Sequence, residues 1–327
     1  MPERYRRILV VDLLGGLGDL VMALPVVHAL ARRNPGAALR VLTHAPGDAL
    51  LRHDPAVTGV RTAEKGRERA AVAAELDRHP YDLVVSTTRY DDIPAEIEGR
   101  GMRCVTDLWR GPPPDEPVSR RYLRILRDEG LVDGYLPPQV QLTPDERARG
   151  AAALAEHAPR GRPVVLVPGA GMAVKHWPHW PALARAVAAR GEPALVVAGD
   201  PAPGPWADAH AHRLPSTDLR GLAASFAAVA ERGGVVVGPD TGPVRVAAAV
   251  GARTVGIFGP TAATRYGLAE PGTRAVDLQG LPGCPHRRPT AITEQVCWWE
   301  ARCPLSPDGP ACMADVGVAA VLEAVGV

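Results

Sequence analysis

The chain has 327 residues, enough for two ordinary domains with separate cores. Its formal net charge is +1, and the charges are spread along its length, so no basic run argues for a long polyanionic partner such as nucleic acid. No apolar stretch approaches the roughly 20 residues of a membrane span, and five cysteines, an odd number, argue against a disulfide framework.

The N-terminal run MPERYRRILVVDLL carries basic residues before a short apolar stretch without a small-residue cleavage site. It reads as a first strand over 6–13 rather than a signal peptide, and a cytoplasmic location is expected. The loop Gly15-Gly16-Leu17-Gly18-Asp19 follows, then a helix over 19–33 that stops at Asn34-Pro35-Gly36. A dinucleotide fingerprint fails here, because Val21 stands at its third glycine and the next strand, 39–44, ends in Thr43-His44 without an acid. A phosphate P-loop fails for want of its lysine. What remains is a tight glycine turn that sets Asp19 at the mouth of a helix, where it reads either as a functional carboxylate or as an ordinary N-cap.

Strands over 81–87 and 102–107 continue the βα alternation. The loop Thr88-Arg89-Tyr90-Asp91-Asp92 follows the first of them, with Glu96 and Glu98 just beyond. The stretch 136–162 carries Pro137-Pro138, an Ala-rich helix over 144–157 and a Pro-Arg-Gly turn, which divides the chain into domains 1–158 and 159–327. The second half repeats the pattern, with strands over 163–169, 193–200, 233–240 and 252–259 and helices near 179–190, 221–231 and 242–250. The expected fold is therefore α/β, two Rossmann-like domains with parallel sheets facing a central cleft, and the chemistry belongs in the loops after the strands.

Two loops of the second half qualify. In Pro168-Gly169-Ala170-Gly171-Met172-Ala173-Val174-Lys175 the glycines admit a ligand close to the backbone, and Lys175 can set a mobile charge on a phosphate. Lysine occurs elsewhere only at position 65, which sets Lys175 apart from the default arginines. In Gly238-Pro239-Asp240-Thr241-Gly242-Pro243-Val244-Arg245 an apolar strand runs into a helix whose free N–H groups suit a diphosphate. Asp240 or Thr241 could serve simply as the cap, but a cation in the first helical turn, where the dipole disfavours it, is what a bound anion would explain. The tail, 280–312, is rich in Pro, Arg and Cys and looks irregular, and a last helix over 314–325 closes the chain. Its Cys284, Cys297, Cys303 and Cys312 contain no C-x-x-C, so packed thiols are expected, with a structural metal completed by His286 as the alternative. The pair Trp298-Trp299 reads as tail packing or as a stacking surface.

Taken together, GGLGDLVMALPVVHAL (15–30), LVPGAGMAVKHWPHWPALA (166–184), VVVGPDTGPVRVAAAVGARTVGIFGPT (235–261) and CWWEARCPLSPDGPACM (297–313) resemble glycosyltransferase family 9, which contains the bacterial ADP-heptose heptosyltransferases. The resemblance implies a GT-B fold and an inverting, metal-independent transfer of a sugar, heptose from ADP-heptose, to an acceptor hydroxyl, with no cofactor. It implies that the first domain takes the acceptor and the second the nucleotide-sugar donor. Asp19 matches the general base, with Gly18 beside it on the acceptor side. Lys175 matches the lysine on the donor phosphate, Asp240 the aspartate on the donor sugar, and Thr241 and Gly242 the pair at the phosphate-binding helix start. Gly171 and Ala170 stand where some members carry hydroxyls, and Arg245 where the family usually has histidine, which shifts phosphate binding onto Lys175 and Arg245.

The acidic side chains Asp91 and Asp92 suit a cationic acceptor, such as an amino-sugar or aminocyclitol natural product, better than an anionic lipopolysaccharide, though they read equally as an acidic helix start. Competing expectations are a lipopolysaccharide-core heptosyltransferase, a catalytically silent nucleotide-sugar binder and a sugar-nucleotide epimerase. The presence of Asp19 together with Lys175 favours the enzyme over the silent binder.

Overall fold

The computed structural model describes residues 4–111, 115–197, 211–214 and 218–327. It divides into two compact units, Met1–Gln141 and Leu142–Val327.

In the first unit, β1 (Arg7–Asp12), β2 (Ala38–His44), β3 (Gly59–Ala63), β4 (Leu83–Ser86) and β5 (Arg103–Val105) pair in parallel in the order β3-β2-β1-β4-β5. The central strands β1 and β4 are buried on both faces and read as unbroken apolar runs, as parallel strands must. On the flanks lie α1 (Leu17–Arg33), α2 (Glu68–Arg78), α3 (Ile93–Glu98) and α4 (Val118–Asp128). Leu9, Val11 and Val84 of the sheet pack with Val72 and Leu76 of α2 and Ile93 and Ile97 of α3. The chain winds from β1 outward to β3 and then crosses to β4, so the strand order reverses between β1 and β4. That reversal is the switch point where loops diverge and leave a crevice.

The second unit opens with α5 (Pro144–His157), followed by β6 (Val164–Leu166), α6 (Trp180–Ala188), β7 (Ala194–Val196), β8 (Ala211–Arg213), α7 (Leu219–Glu231), β9 (Val235–Pro239), α8 (Gly242–Ala249), β10 (Arg253–Phe258), α9 (Ala263–Tyr266) and β11 (Ala275–Gln279). Its strands pair in parallel in the order β11-β10-β9-β6-β7-β8, with the switch point between β6 and β9. Helix α5 starts with a capping box, Thr143 Oγ1 accepting from Glu146 N and the Glu146 carboxylate accepting from Thr143 N. Arg220 of α7 then donates to both oxygens of Glu146 at 2.5 and 2.6 Å, and holds the Glu146 acid down to about 2. Gly150 lets the helices close up, because a Cβ there would strike the backbone of Ala224. For these reasons α5 belongs with the second unit, and the division falls at 141/142, on the other side of this helix from 158/159.

Most of the expected elements appear with shorter ends. The strand expected over 193–200 is seen as β7, with 198–200 outside the described residues. Strands β3, β8 and β11 had no clear signal: they are short and partly exposed, so each lacks the apolar run that marks β1 or β9. The tail is more ordered than its composition suggests, with short helices α10 (Val296–Glu300) and α11 (Ala311–Ala314) before α12 (Val318–Val325). Trp177 Nε1 donates to Val316 O at 2.8 Å and Arg287 donates to the carbonyls of Gly259, Gly280 and Leu281, which ties the tail to the sheet. No helix among the described residues is long and apolar enough to cross a membrane.

Candidate active site

In the first unit the loop after β1 turns on Gly15, at φ +92°, a backbone that glycine adopts without strain. Gly16, not Asp19, is the N-cap of α1, and it caps without a side-chain hydrogen bond. Asp19 sits at the third helical position and folds its carboxylate back over Gly16, where any Cβ would collide with Asp19 Oδ2. Half-buried at a helix N-terminus, the carboxylate lies where the dipole favours its charge. Gly18, the residue before it, lies in the same first turn.

A residue that the motifs do not flag stands beside them. Asp12 ends β1, is only 2% exposed, and accepts a 2.6 Å hydrogen bond from Thr87 Oγ1 just beyond β4. Burial and the nearby negative charge of Asp19 push its acid up to about 7, against the Thr87 hydrogen bond. Asp12, Gly15, Gly16, Thr43, His44 and Gly47 line one small pocket beyond the C-terminal ends of β1 and β2, beside the first switch point. In the sequence Asp12 hides inside an apolar run as one polar residue at a strand end.

The acidic loop takes a different form from a free anionic patch. Asp91 and Asp92 both have left-handed backbones, at φ 56° and 52°. Asp92 accepts from Arg69 at 3.3 Å, and Glu96 accepts from Arg100 at 2.9 Å, while Glu98 accepts from Thr106. The groove beside Asp91 is also lined by Arg67, Arg69 and Glu96, so it presents both signs of charge.

In the second unit the loops after β6 and β9 meet at the switch point. Lys175, at the end of a 3-10 turn, donates from Nζ to Asp240 Oδ2 at 3.0 Å and to Asp240 O at 3.1 Å. Arg245 Nη2 donates to Asp240 Oδ1 at 2.5 Å and to Tyr266 O. Asp240 is 8% exposed and Arg245 6%. Burial alone would raise the Asp240 acid, but the charges of Arg245 and Lys175 outweigh it and hold the group down to about 2. One carboxylate between two cations leaves the cluster at net +1. It lies at the start of α8, where Thr241, the N-cap residue, makes no side-chain cap hydrogen bond. Thr241 Oγ1 instead turns to Pro239 O at 3.3 Å. Gly242 begins the helix, and Gly169 and Gly171 face open space, with nothing within 4 Å of an added Cβ.

The structure thus gives the cation in the first turn of α8 a partner within the protein. Arg245 is committed to Asp240 and to Tyr266, and the turn that presents Tyr266 O is itself fixed. Asp277 of β11 accepts from Leu268 N and Ala269 N at 3.0 Å, and Gly267 is required because a Cβ there would strike the Asp277 carboxylate. Neither Tyr266 nor Asp277 carries a sequence signal, since one acts through its backbone and the other lies beyond the loop motifs.

The tail cysteines Cys284, Cys297, Cys303 and Cys312 are free thiols, and burial pushes Cys312 up to about 11. No group of three or more His, Cys, Asp or Glu among the described residues is arranged to hold a metal ion.

The family model for glycosyltransferase family 9 (heptosyltransferase) matches residues 98–295. No curated protein matches the chain by sequence. Among solved structures, a family 9 glycosyl transferase from Veillonella parvula is similar over 100% of this chain and 98% of its own, with a TM-score of 0.78 at 16% identity. The E. coli ADP-heptose lps heptosyltransferase II is similar over 98% of this chain and 97% of its own, with a TM-score of 0.70 at 19% identity. An E. coli heptosyltransferase with ADP is similar over 83% of this chain and 92% of its own, with a TM-score of 0.61 at 21% identity. At these identities the likeness is one of fold, the GT-B type with two parallel α/β sheets.

Proposed function

This chain belongs to glycosyltransferase family 9, the heptosyltransferases, and from that premise we propose that it transfers heptose from ADP-heptose to an acceptor hydroxyl, with inversion and without a divalent metal. The observation that carries this reading is the Lys175–Asp240–Arg245 cluster, at net +1 beside the uncapped start of α8. A site of that charge suits a diphosphate, and it is where negative charge develops as the leaving group departs. Lys175 is the mobile donor, able to swing from Asp240 to phosphate. Arg245 holds Asp240 in place and adds its fixed charge. Solved structures of one E. coli heptosyltransferase with ADP and with ADP-2-deoxy-2-fluoro heptose support an adenine nucleotide sugar as donor.

In the reaction the acceptor oxygen forms a bond to the anomeric carbon, and the bond from that carbon to the diphosphate oxygen breaks, its electron pair leaving on the β-phosphate. The acceptor proton passes to Asp19, a contribution typically of about 10²–10⁴-fold. The acceptor is a small hydroxyl-bearing molecule. Asp92 and Glu96 are taken up by arginines, so a cationic amino-sugar or aminocyclitol acceptor would be recognised chiefly at Asp91.

The test is incubation with ADP-heptose and a panel of neutral, anionic and amino-sugar acceptors, read by mass spectrometry. A product heavier by one heptosyl residue, with equimolar ADP, is expected. Tight ADP-heptose binding with no ADP released under any condition would instead identify a silent binder.

A further inference from the structure

The mechanism above leaves Asp12 unused, although it is a buried carboxylate at the first switch point, beside the loop that carries Asp19. Burying a carboxylate is costly unless it is paired and hydrogen-bonded. Among the described residues the Asp12 carboxylate accepts one hydrogen bond, from Thr87, where an ionised carboxylate can accept several. The groups around it are Asp19 on α1, Thr87 beyond β4, Thr43 and His44 on β2, and Tyr90, whose hydroxyl donates to Leu13 O. His44 is itself engaged, with Nδ1 2.9 Å from Ala63 O and Nε2 3.4 Å from Glu68 Oε1. None of these is a cation placed on Asp12, and the Asp19 carboxylate, folded over Gly16 on the same pocket, sets its negative charge against that of Asp12.

Resting on the transferase reading, we propose that Asp12 is a positioning residue for Asp19: held by Thr87 at the switch point, its carboxylate supplies the negative charge that makes Asp19 basic enough to take the acceptor hydroxyl's proton. Asp19 alone, at the N-terminus of α1, would be a weak base, because the helix dipole stabilises its ionised form. A second negative charge behind it counters that and favours the protonated product of the transfer step. The proton taken from the acceptor is then shared within the pair before solvent removes it, and the pair titrates as a unit. The active form is the doubly ionised one. Its acid limb therefore lies near neutrality, above the range of an isolated aspartate, as the raised acid of Asp12 also indicates.

The test uses the full chain and reads the pH profile of ADP release from ADP-heptose, with water as the acceptor, alongside carbon-13 NMR titration of the aspartate carboxyls. Asp12→Asn keeps shape and removes the charge. The acid limb should move down by about one unit or more, with plateau turnover reduced severalfold to tenfold. Thr87→Val removes the hydrogen bond that favours ionised Asp12, so the limb should move up. Opposite shifts in two variants are not expected of a residue that merely fills space, and Thr87→Val remains informative if Asp12→Asn does not fold. A limb that stays at the wild-type pH in both variants would overturn the proposal. Asp19→Asn separates it from the reading it rests on. If that variant loses turnover while the other two leave the limb in place, only the role of Asp12 fails. If Asp19→Asn turns over like wild type, the base assignment fails and Asp12 has nothing to position.

Discussion

Asp240 is where three charges meet, and the effect of each substitution follows from that. Removing Arg245 takes the cluster from +1 to neutral and releases one oxygen of Asp240. Arg245→Ala should therefore weaken nucleoside-diphosphate binding by about 1.5–3 kcal/mol, the range for hydrogen bonds to charged groups, and Arg245→His should recover part of it at low pH, where imidazole is charged. Calorimetric titration of ADP against the three proteins checks this, and equal affinities would show that the guanidinium serves only Asp240 and Tyr266. Asp12 makes the opposite kind of prediction, about stability. Its acid is raised in the folded chain, so the native state holds a proton that the unfolded state has released, and folding loses free energy as pH climbs from about 4 towards 7. Asp12→Asn should thus raise Tm at pH 8 relative to wild type and leave it nearly unchanged at pH 4, measured by calorimetry. A gain in stability with a loss of turnover is the trade-off expected at a functional site. At this scale the sequence shows Asp19, Lys175 and Asp240 through their glycine loops, but not that Arg245 would turn inward to a carboxylate five residues before it.

Helices α5 and α7 meet through the buried Arg220–Glu146 pair, an exposed Arg147–Glu231 pair and a close backbone contact at Gly150, and the first and last of these can be broken separately. Arg220→Ala leaves Glu146 charged, buried and reduced to its capping contacts, which should cost about 3–5 kcal/mol. The Glu146 acid is depressed in the folded state, so the stability it contributes is present above its unfolded value of about 4.5 and is lost as pH falls through about 2. The difference between wild type and Arg220→Ala should accordingly shrink on acidification, a trend that urea unfolding at pH 7 and pH 3 would reveal. Gly150→Ala gains about 1 kcal/mol of helix propensity, but its methyl meets the backbone of Ala224, which cannot rotate away. Overpacking of about 1–3 kcal/mol should win, giving net destabilisation despite the better helix former. The helix itself is legible from Thr143-Pro144-Asp145-Glu146, a cap, a proline and a capping-box glutamate in sequence. Its partner is not, because Arg220 lies 74 residues away and nothing local marks it.

Across the whole molecule the two units repeat one plan, a parallel sheet with a single reversal of strand order and polar side chains on the loops beside it. In the proposed mechanism Lys175, Arg245 and the start of α8 neutralise the leaving diphosphate, so transfer should persist in EDTA at full rate. Activity that returned only with added Mg²⁺ or Mn²⁺ would contradict this mechanism. The alternation of apolar strands with amphipathic helices was sufficient, on the sequence alone, to establish the α/β class, most strand positions and the loops that carry Asp19, Lys175 and Asp240, because burial on both faces demands apolar runs and close turns demand glycine. Only the tertiary structure decided which charges pair. The Asp12–Thr87 bond spans 75 residues, the Lys175–Asp240 pair spans 65, and the placement of α5 with the second unit depends on Arg220. Local periodicity records how each segment meets the core, whereas a contact between loops of distant strands is set by strand order, which no single segment encodes.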